Sequence, residues 1–272
     1  MQKSLLFLWV YVFSSLTYQP VYGQKFLKLS EDLISDSWSN AGIWFKKPEQ
    51  LKKNLLVGAG AVVLISGTMA LDESLQNELA IGHKDQSSVF SQVSEPFGNP
   101  LKMGVLALGG YYLSGYFNNE SINGASSAAL QAMLTAGVAA MTLKLLFHRE
   151  RPEEQVILDP FQFNGLSLES DNLSFPSGHS ATAFALAASL SSYYQHDLRI
   201  SIPLYLIAGL SAYQRVRDFK HWPSDVVAGA LLGAWIGNKV GQWQRERKTL
   251  LKISLAPNQW GGGGLSLSFQ LD

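Results

Sequence analysis

Six uncharged apolar runs, separated by polar, charge-bearing connections, constrain this chain more than any other feature. They are Asn54–Leu71, Met103–Phe117, Ala125–Leu143, Ser180–Tyr194, Ile200–Tyr213 and Val226–Gly237. Each is too long and too uniform for a half-buried strand, so the expected body is a bundle of six helices. Gly, Ala and Ser crowd the runs, as close helix packing in a membrane favours, although compact soluble bundles use them too. Most runs fall short of the roughly 20 residues that a bilayer span prefers. Charged residues make up 15% of the chain, against roughly 25% in ordinary soluble domains.

Formal net charge is zero, so no global basic field points to nucleic acid. The chain has no cysteine, which excludes disulfides, thiolate metal sites and a cysteine nucleophile. Residues 1–23 read as an export signal or N-terminal anchor: Lys3, an apolar centre from Leu5 to Phe13, then Val21-Tyr22-Gly23. Residues 24–53 form an amphipathic, lysine-bearing segment, and 54–243 the helical domain. At the far end, "LKISLAP" and "LSLSFQL" alternate apolar and polar around four glycines, so a short β-hairpin is expected within 250–272.

Three charged segments sit at ends of apolar runs. In "KLLFHRERP", Lys144 and Arg151 are seven apart, which predicts two turns of one helix face, with Pro152 as the stop. In "FPSGHSATAF", Ser177, Gly178 and His179 open a helix whose free N–H groups can take an anion. In "QRVRDFKHWPSD", His221 and Asp225 are four apart, and Pro223 suits a first helical turn. An up-and-down bundle brings all three segments to one end. Lys144, Arg151 and Arg215 then line a pocket for a multiply charged oxyanion, with two histidines beside it.

The order K-x6-RP, PSGH, R-x5-H-x3-D, over roughly residues 54–240, resembles the type 2 phosphatidic acid phosphatase family, which also includes bacterial acid phosphatases and vanadium haloperoxidases. The resemblance implies an all-α six-helix body of that type; the low charge content favours placing it in a membrane, and a pocket lined by cations rather than a carboxylate cage calls for no cofactor or metal. The resemblance also implies that His221 attacks phosphorus, that Asp225 holds and polarises it, and that His179 protonates the leaving oxygen. Lys144, Arg151, Ser177, Gly178 and Arg215 would hold the phosphoryl oxygens. One departure is Gln214, where the family usually has Ser before the last motif's Arg.

The expected activity is hydrolysis of a lipid phosphate monoester or pyrophosphate through a phosphohistidine. A broad-specificity exported acid phosphatase, a vanadate-dependent haloperoxidase and a non-catalytic phosphate-binding membrane protein stay open beside it. Expected partners are the phosphate ester substrate and a membrane, not nucleic acid; oligomeric state stays open. His83, His148 and His196 read as caps or surface residues, and Arg149, Arg217 and Lys220 as solvated charges or contacts to lipid phosphates. Most Tyr and Trp residues read as an interfacial belt or packing. Positive residues cluster in 24–53 and 239–252 while 72–100 is mostly acidic, which places the active site outside the cytoplasm. A cleaved signal followed by six spans would place it inside; an exported, non-spanning protein would again leave it outside.

Overall fold

The computed structural model describes residues 48–79, 96, 99–117, 119–155, 157–167, 172–248, 251–257 and 263–269. The expected signal or anchor at 1–23, nearly all of 24–53, and His83 lie outside them. A boundary between two compact units falls at Leu55, and the architecture below concerns the second unit, from Leu56 on.

Seven α-helices occur among the described residues: α1 (Pro48–Met69), α2 (Asp72–Leu79), α3 (Pro100–Tyr116), α4 (Glu120–Phe147), α5 (Gly178–Tyr193), α6 (Leu198–Arg217) and α7 (Pro223–Lys248). Six overlie the six apolar runs. The seventh, α2, is short and polar and bends 66° away from α1, so hydropathy gave no sign of it. Strands β1 (Leu251–Pro257) and β2 (Gly263–Phe269) pair antiparallel, Leu251 opposite Phe269.

Helix ends follow capping chemistry. Asn99 accepts from the N–H groups of Leu101 and Lys102 ahead of α3, with Pro100 at the first position. Asn119 accepts from Ile122 N at 3.1 Å to start α4, and Asp197 from Arg199 N at 2.9 Å to start α6.

The tightest packing joins α5 to α7. Gly229, Gly233, Gly237 and Gly241 recur every four residues along one stripe of α7. A Cβ on them would stand 2.3, 2.1, 2.3 and 2.2 Å from the carbonyl oxygens of Ser177, Ala181, Ala185 and Ser189. No side chain fits there, and only glycine lets the two backbones meet. Both series ascend together, so the helices run parallel and start at the same end. α4 runs the opposite way: the Cα of Gly124 faces the Tyr193 ring, Gly137 faces Thr182, and Gly178 faces the Lys144 stem. The C-terminus of α4 therefore meets the N-termini of α5 and α7.

The interior is built mostly from alanine, including Ala132, Ala136, Ala140, Ala181 and Ala185. Large aliphatics point outward instead: Val63 is 73% exposed, Leu106 67%, Val138 67% and Leu206 62%. In water this arrangement would squander the burial of the largest apolar side chains. Among the described residues, α4 alone is long and apolar enough to cross a membrane by itself; the bent pair Lys52–Met69 and Asp72–Leu79 passes together.

Candidate active site

Chain reversals at the converging helix ends assemble the site. α4 does not continue to Pro152, as the seven-residue spacing suggested. It ends at Phe147, and His148 caps it in the left-handed region at φ 45°. Arg151 lies beyond, in extended backbone, and Pro152 begins a 3-10 turn rather than ending a helix. Lys144 and Arg151 are thus neighbours through a chain reversal, not through a shared helix face.

The described residues between His148 and Ser174 then fold back over the site. Arg149 pairs with Phe163 in an isolated bridge, and Ser174 N donates to Arg149 O at 2.9 Å. Lys144, buried at the end of α4, donates through Nζ to the carbonyls of Leu173 and Ser174. Glu153 N donates to Phe219 O, and Lys220 Nζ to Glu153 Oε2, which ties the 3-10 turn to the α6–α7 connection.

His221 sits in that connection, 5% exposed, with its N–H donating to Arg215 O at 3.2 Å. Its Nδ1 lies 3.4 Å from Ser174 Oγ and 3.7 Å from Asp225 Oδ2. The first is a long hydrogen bond and the second an ion-pair spacing. Ser174 Oγ also donates to Asp225 Oδ2 at 2.5 Å. A carboxylate can only accept, so the Ser174 proton is committed to it and Oγ accepts from Nδ1–H. That order leaves Nε2 as the ring nitrogen with a free lone pair. Asp225 therefore holds the imidazole largely through Ser174, a residue the motif spacing did not single out; its position two before Pro176 was the only sequence sign.

Asp225 is fully buried. Besides Ser174, its Oδ2 accepts from Trp222 N at 2.9 Å, and Oδ1 accepts from Arg149 Nη1 at 2.5 Å. Its carbonyl accepts from Ser177 N at 2.9 Å, which links the starts of α5 and α7. Ser177 caps α5 and accepts from Ser180 N and Ser180 Oγ at 3.4 and 3.0 Å, so its own proton is left to donate elsewhere. A Cβ at Gly178 would lie 3.7 Å from Lys144 Cε, so the Lys144 stem passes across the α5 N-terminus. His179 follows in the first turn of α5, partly buried.

Burial and the charge of Lys144, with a smaller push from Arg151, lower the His221 pKa to about 3, against the pull of Asp225. The imidazole is therefore neutral over the ordinary pH range, as a nucleophile must be. Arg151 keeps a buried Nε with no hydrogen-bond partner while Nη1 stands 3.5 Å from Glu153, so one fixed donor is unspent. Lys144, Gly178, Arg151, His221 and Asp225 are thus gathered around one point. Arg215 lies in the last turn of α6 and meets His221 through its carbonyl.

Several side chains differ from expectation. Arg149 is not solvated: it is fully buried, stacked between the Phe163 and Trp222 rings at 5.1 and 5.4 Å, and bonded to two carboxylates. A guanidinium between opposite charges and aromatic faces can be buried where a lone one cannot. Arg217 is also buried, and His148 is a cap but 2% exposed. Lys220 pairs with Glu153. Gln214 is buried and hydrogen-bonds Asp218, whose carboxyl burial pushes up. Trp222 is core, its Nε1 donating to Glu150 O at 2.9 Å. His196 conforms to expectation, exposed in the α5–α6 turn.

With this geometry in hand, residues 126–248 match the model of the PAP2 superfamily. The chain is similar to a lipid A 1-phosphatase of Porphyromonas gingivalis, 38% identical over 71 residues, 26% of this chain and 16% of that protein. It is also similar to a lipid A 1-phosphatase of Rhizobium etli, 31% identical over 125 residues, 46% of this chain and 52% of that one. The matched stretches thus span about half or less of these curated relatives. The crystal structure of a transmembrane PAP2 type phosphatidylglycerolphosphate phosphatase from Bacillus subtilis superposes with a TM-score of 0.52 at 18% identity. That superposition covers 71% of this chain and 96% of that one, and speaks to the fold.

Proposed function

We propose, from the PAP2-superfamily segment formed by residues 126–248 of this chain, that the protein hydrolyses a lipid phosphate monoester or pyrophosphate through a phosphohistidine on His221. One observation carries the reading. A neutral, buried imidazole has its Nδ1 engaged by Ser174 and Asp225, its Nε2 lone pair free, and the cations Lys144 and Arg151 acting on it. An imidazole so held attacks phosphorus while the cations stabilise charge on the equatorial oxygens. His179, Ser177, Gly178 and Arg215 complete the pocket in this reading: His179 protonates the leaving oxygen, and the others bind phosphoryl oxygens. Water then attacks the phosphohistidine, with His179 as base.

The outward Leu and Val and the inward Ala, Ser and Gly favour a lipid-embedded enzyme over an exported soluble phosphatase. In this reading residues 54–243 are the catalytic domain, α1 and α3–α7 are its six-helix body, and the terminal strands are an appendage. The domain lies in a plasma or inner membrane with its site outside the cytoplasm. The activity of the curated relatives makes a lipid A-type glycolipid phosphate the first substrate to assay.

The test is purified protein against lipid A, phosphatidate, undecaprenyl pyrophosphate and water-soluble phosphates, with chelator present throughout. Turnover of a lipid phosphate is expected, together with an acid-labile phosphoenzyme that vanishes in His221→Ala while vanadate binding largely survives. Full activity in His221→Ala would sink the mechanism. Loss to chelator restored by magnesium or zinc would require a different site.

A further inference from the structure

One carboxylate reaches the site from outside all three motifs and outside residues 126–248. Asp72, the first residue of α2, is fully buried. Its Oδ1 accepts from Ser224 N at 2.8 Å, and its Oδ2 from Ser224 Oγ at 2.5 Å and Arg149 Nη2 at 2.7 Å. Arg149 Nη1 meanwhile contacts Ser224 Oγ and Asp225 Oδ1 at 2.8 and 2.5 Å. Asp72, Arg149 and Asp225 therefore form one buried row of charges, minus, plus, minus, and Asp225 passes its other oxygen to the Ser174–His221 relay.

The arithmetic of that row matters in a dry site. With Asp225 alone, the guanidinium would cancel its charge; with two carboxylates sharing it, one net negative charge remains. When Nε2 of His221 bonds to phosphorus and the P–O bond breaks, the leaving oxygen takes its proton from His179. Nδ1 keeps its own proton, so the phosphorylated ring becomes cationic. The remaining negative charge lies where it stabilises that cation.

We propose that Asp72 is a positioning and charge-balancing residue for the nucleophile, acting through Arg149 and Asp225, so that a helix outside the motif-bearing segments takes part in the phosphoryl-transfer step. Asp72 also accepts from the Ser224 N–H, the first that α7 offers after Pro223, and so fixes the turn on which His221 and Asp225 sit. The inference rests on the phosphohistidine reading above.

The experiment compares Asp72→Asn, which keeps shape and loses charge, with Asp72→Glu, which keeps charge, and with Gln76→Met. Gln76 ties α2 to α6 through Val216 O at 2.8 Å, so its loss loosens α2 with no change of charge. Asp72→Asn is expected to lower kcat on the order of 10-fold, the rate equivalent of about one pK unit of lost polarisation. KM and the inhibition constant of inorganic phosphate should hardly move, because the phosphate-holding cations are untouched. Asp72→Glu should keep kcat within roughly 3-fold, allowing for overpacking, and Gln76→Met should lower Tm with kcat preserved.

Wild-type kcat in folded Asp72→Asn would overturn the proposal, as would a loss in Gln76→Met equal to that in Asp72→Asn. If Asp72→Asn does not fold, a folded Asp72→Glu with a full ~10-fold loss of kcat overturns it, and retained kcat supports it. An inactive His221→Ala beside a fully active Asp72→Asn would fault this inference alone; an active His221→Ala would fault the function as well.

Discussion

The hydroxyl of Ser174 stands 3.4 Å from His221 Nδ1, nearer than Asp225 Oδ2 at 3.7 Å. The carboxylate therefore works on the imidazole chiefly through a serine that Lys144 and Arg149 hold by its backbone. Ser174→Ala should lower kcat by roughly 10-fold, the upper end of what one hydrogen bond contributes, and leave phosphate inhibition unchanged. Steady-state kinetics decide it: an effect confined to KM would place Ser174 in substrate binding instead.

The α5–α7 contact makes a second, mechanical prediction. Gly233→Ala would set a methyl 2.1 Å from Ala181 O, so the helices must part, at a cost of about 1–3 kcal/mol. Parting them also moves Ser177–His179 away from His221, so activity should fall with stability. Gly209→Ala is the control, since a Cβ there meets nothing within 4 Å and alanine favours helix. Thermal unfolding in detergent should show a lower Tm for the first and an equal or higher Tm for the second.

His179→Ala should discriminate between substrates. An acid matters most when the leaving oxygen is a poor leaving group, so alkyl phosphates should lose on the order of 10²-fold or more in kcat. Nitrophenyl phosphate should lose much less. Equal losses would remove His179 from the acid's role.

Stability should carry the signature of His221. Its unfolded pKa is about 6.5, and burial with the charge of Lys144 lowers it to about 3 in the fold. Between those values the unfolded chain binds a proton that the native chain does not. The contribution is therefore complete above pH ~6.5 and is lost as pH falls toward ~3. His221→Gln should flatten this part of the profile of Tm against pH. Parallel curves for wild type and variant would show that His221 is not held neutral.

Topology can be read with single cysteines, because the chain has none of its own. Asn164 is exposed in the fold-back segment at the site's end, and Leu198 is 67% exposed at the start of α6, at the opposite end. In intact cells an impermeant maleimide should label Asn164→Cys and spare Leu198→Cys. Labelling of both would favour an exported, non-spanning protein, and labelling of Leu198→Cys alone would invert the orientation.

Elements with a local signal were legible in the amino-acid order alone. Uninterrupted apolar runs marked six helices, and Pro223 with the Ser-Gly-His start marked two of the ends that meet. The three charged segments placed His221, Asp225 and Lys144 at one end because consecutive helices must alternate in direction. Tertiary structure decided what local pattern cannot encode. The left-handed turn at His148, rather than Pro152, ended α4 and swung Arg151 around. Burial turned Arg149 from a flanking charge into the counter-ion of two carboxylates, 77 and 76 residues away. Asp72 meets Ser224 across 152 residues. Periodicity and capping act over a few residues, so they leave a trace in the sequence. A buried ion pair is chosen by the low dielectric around it, and that exists only after the helices have packed.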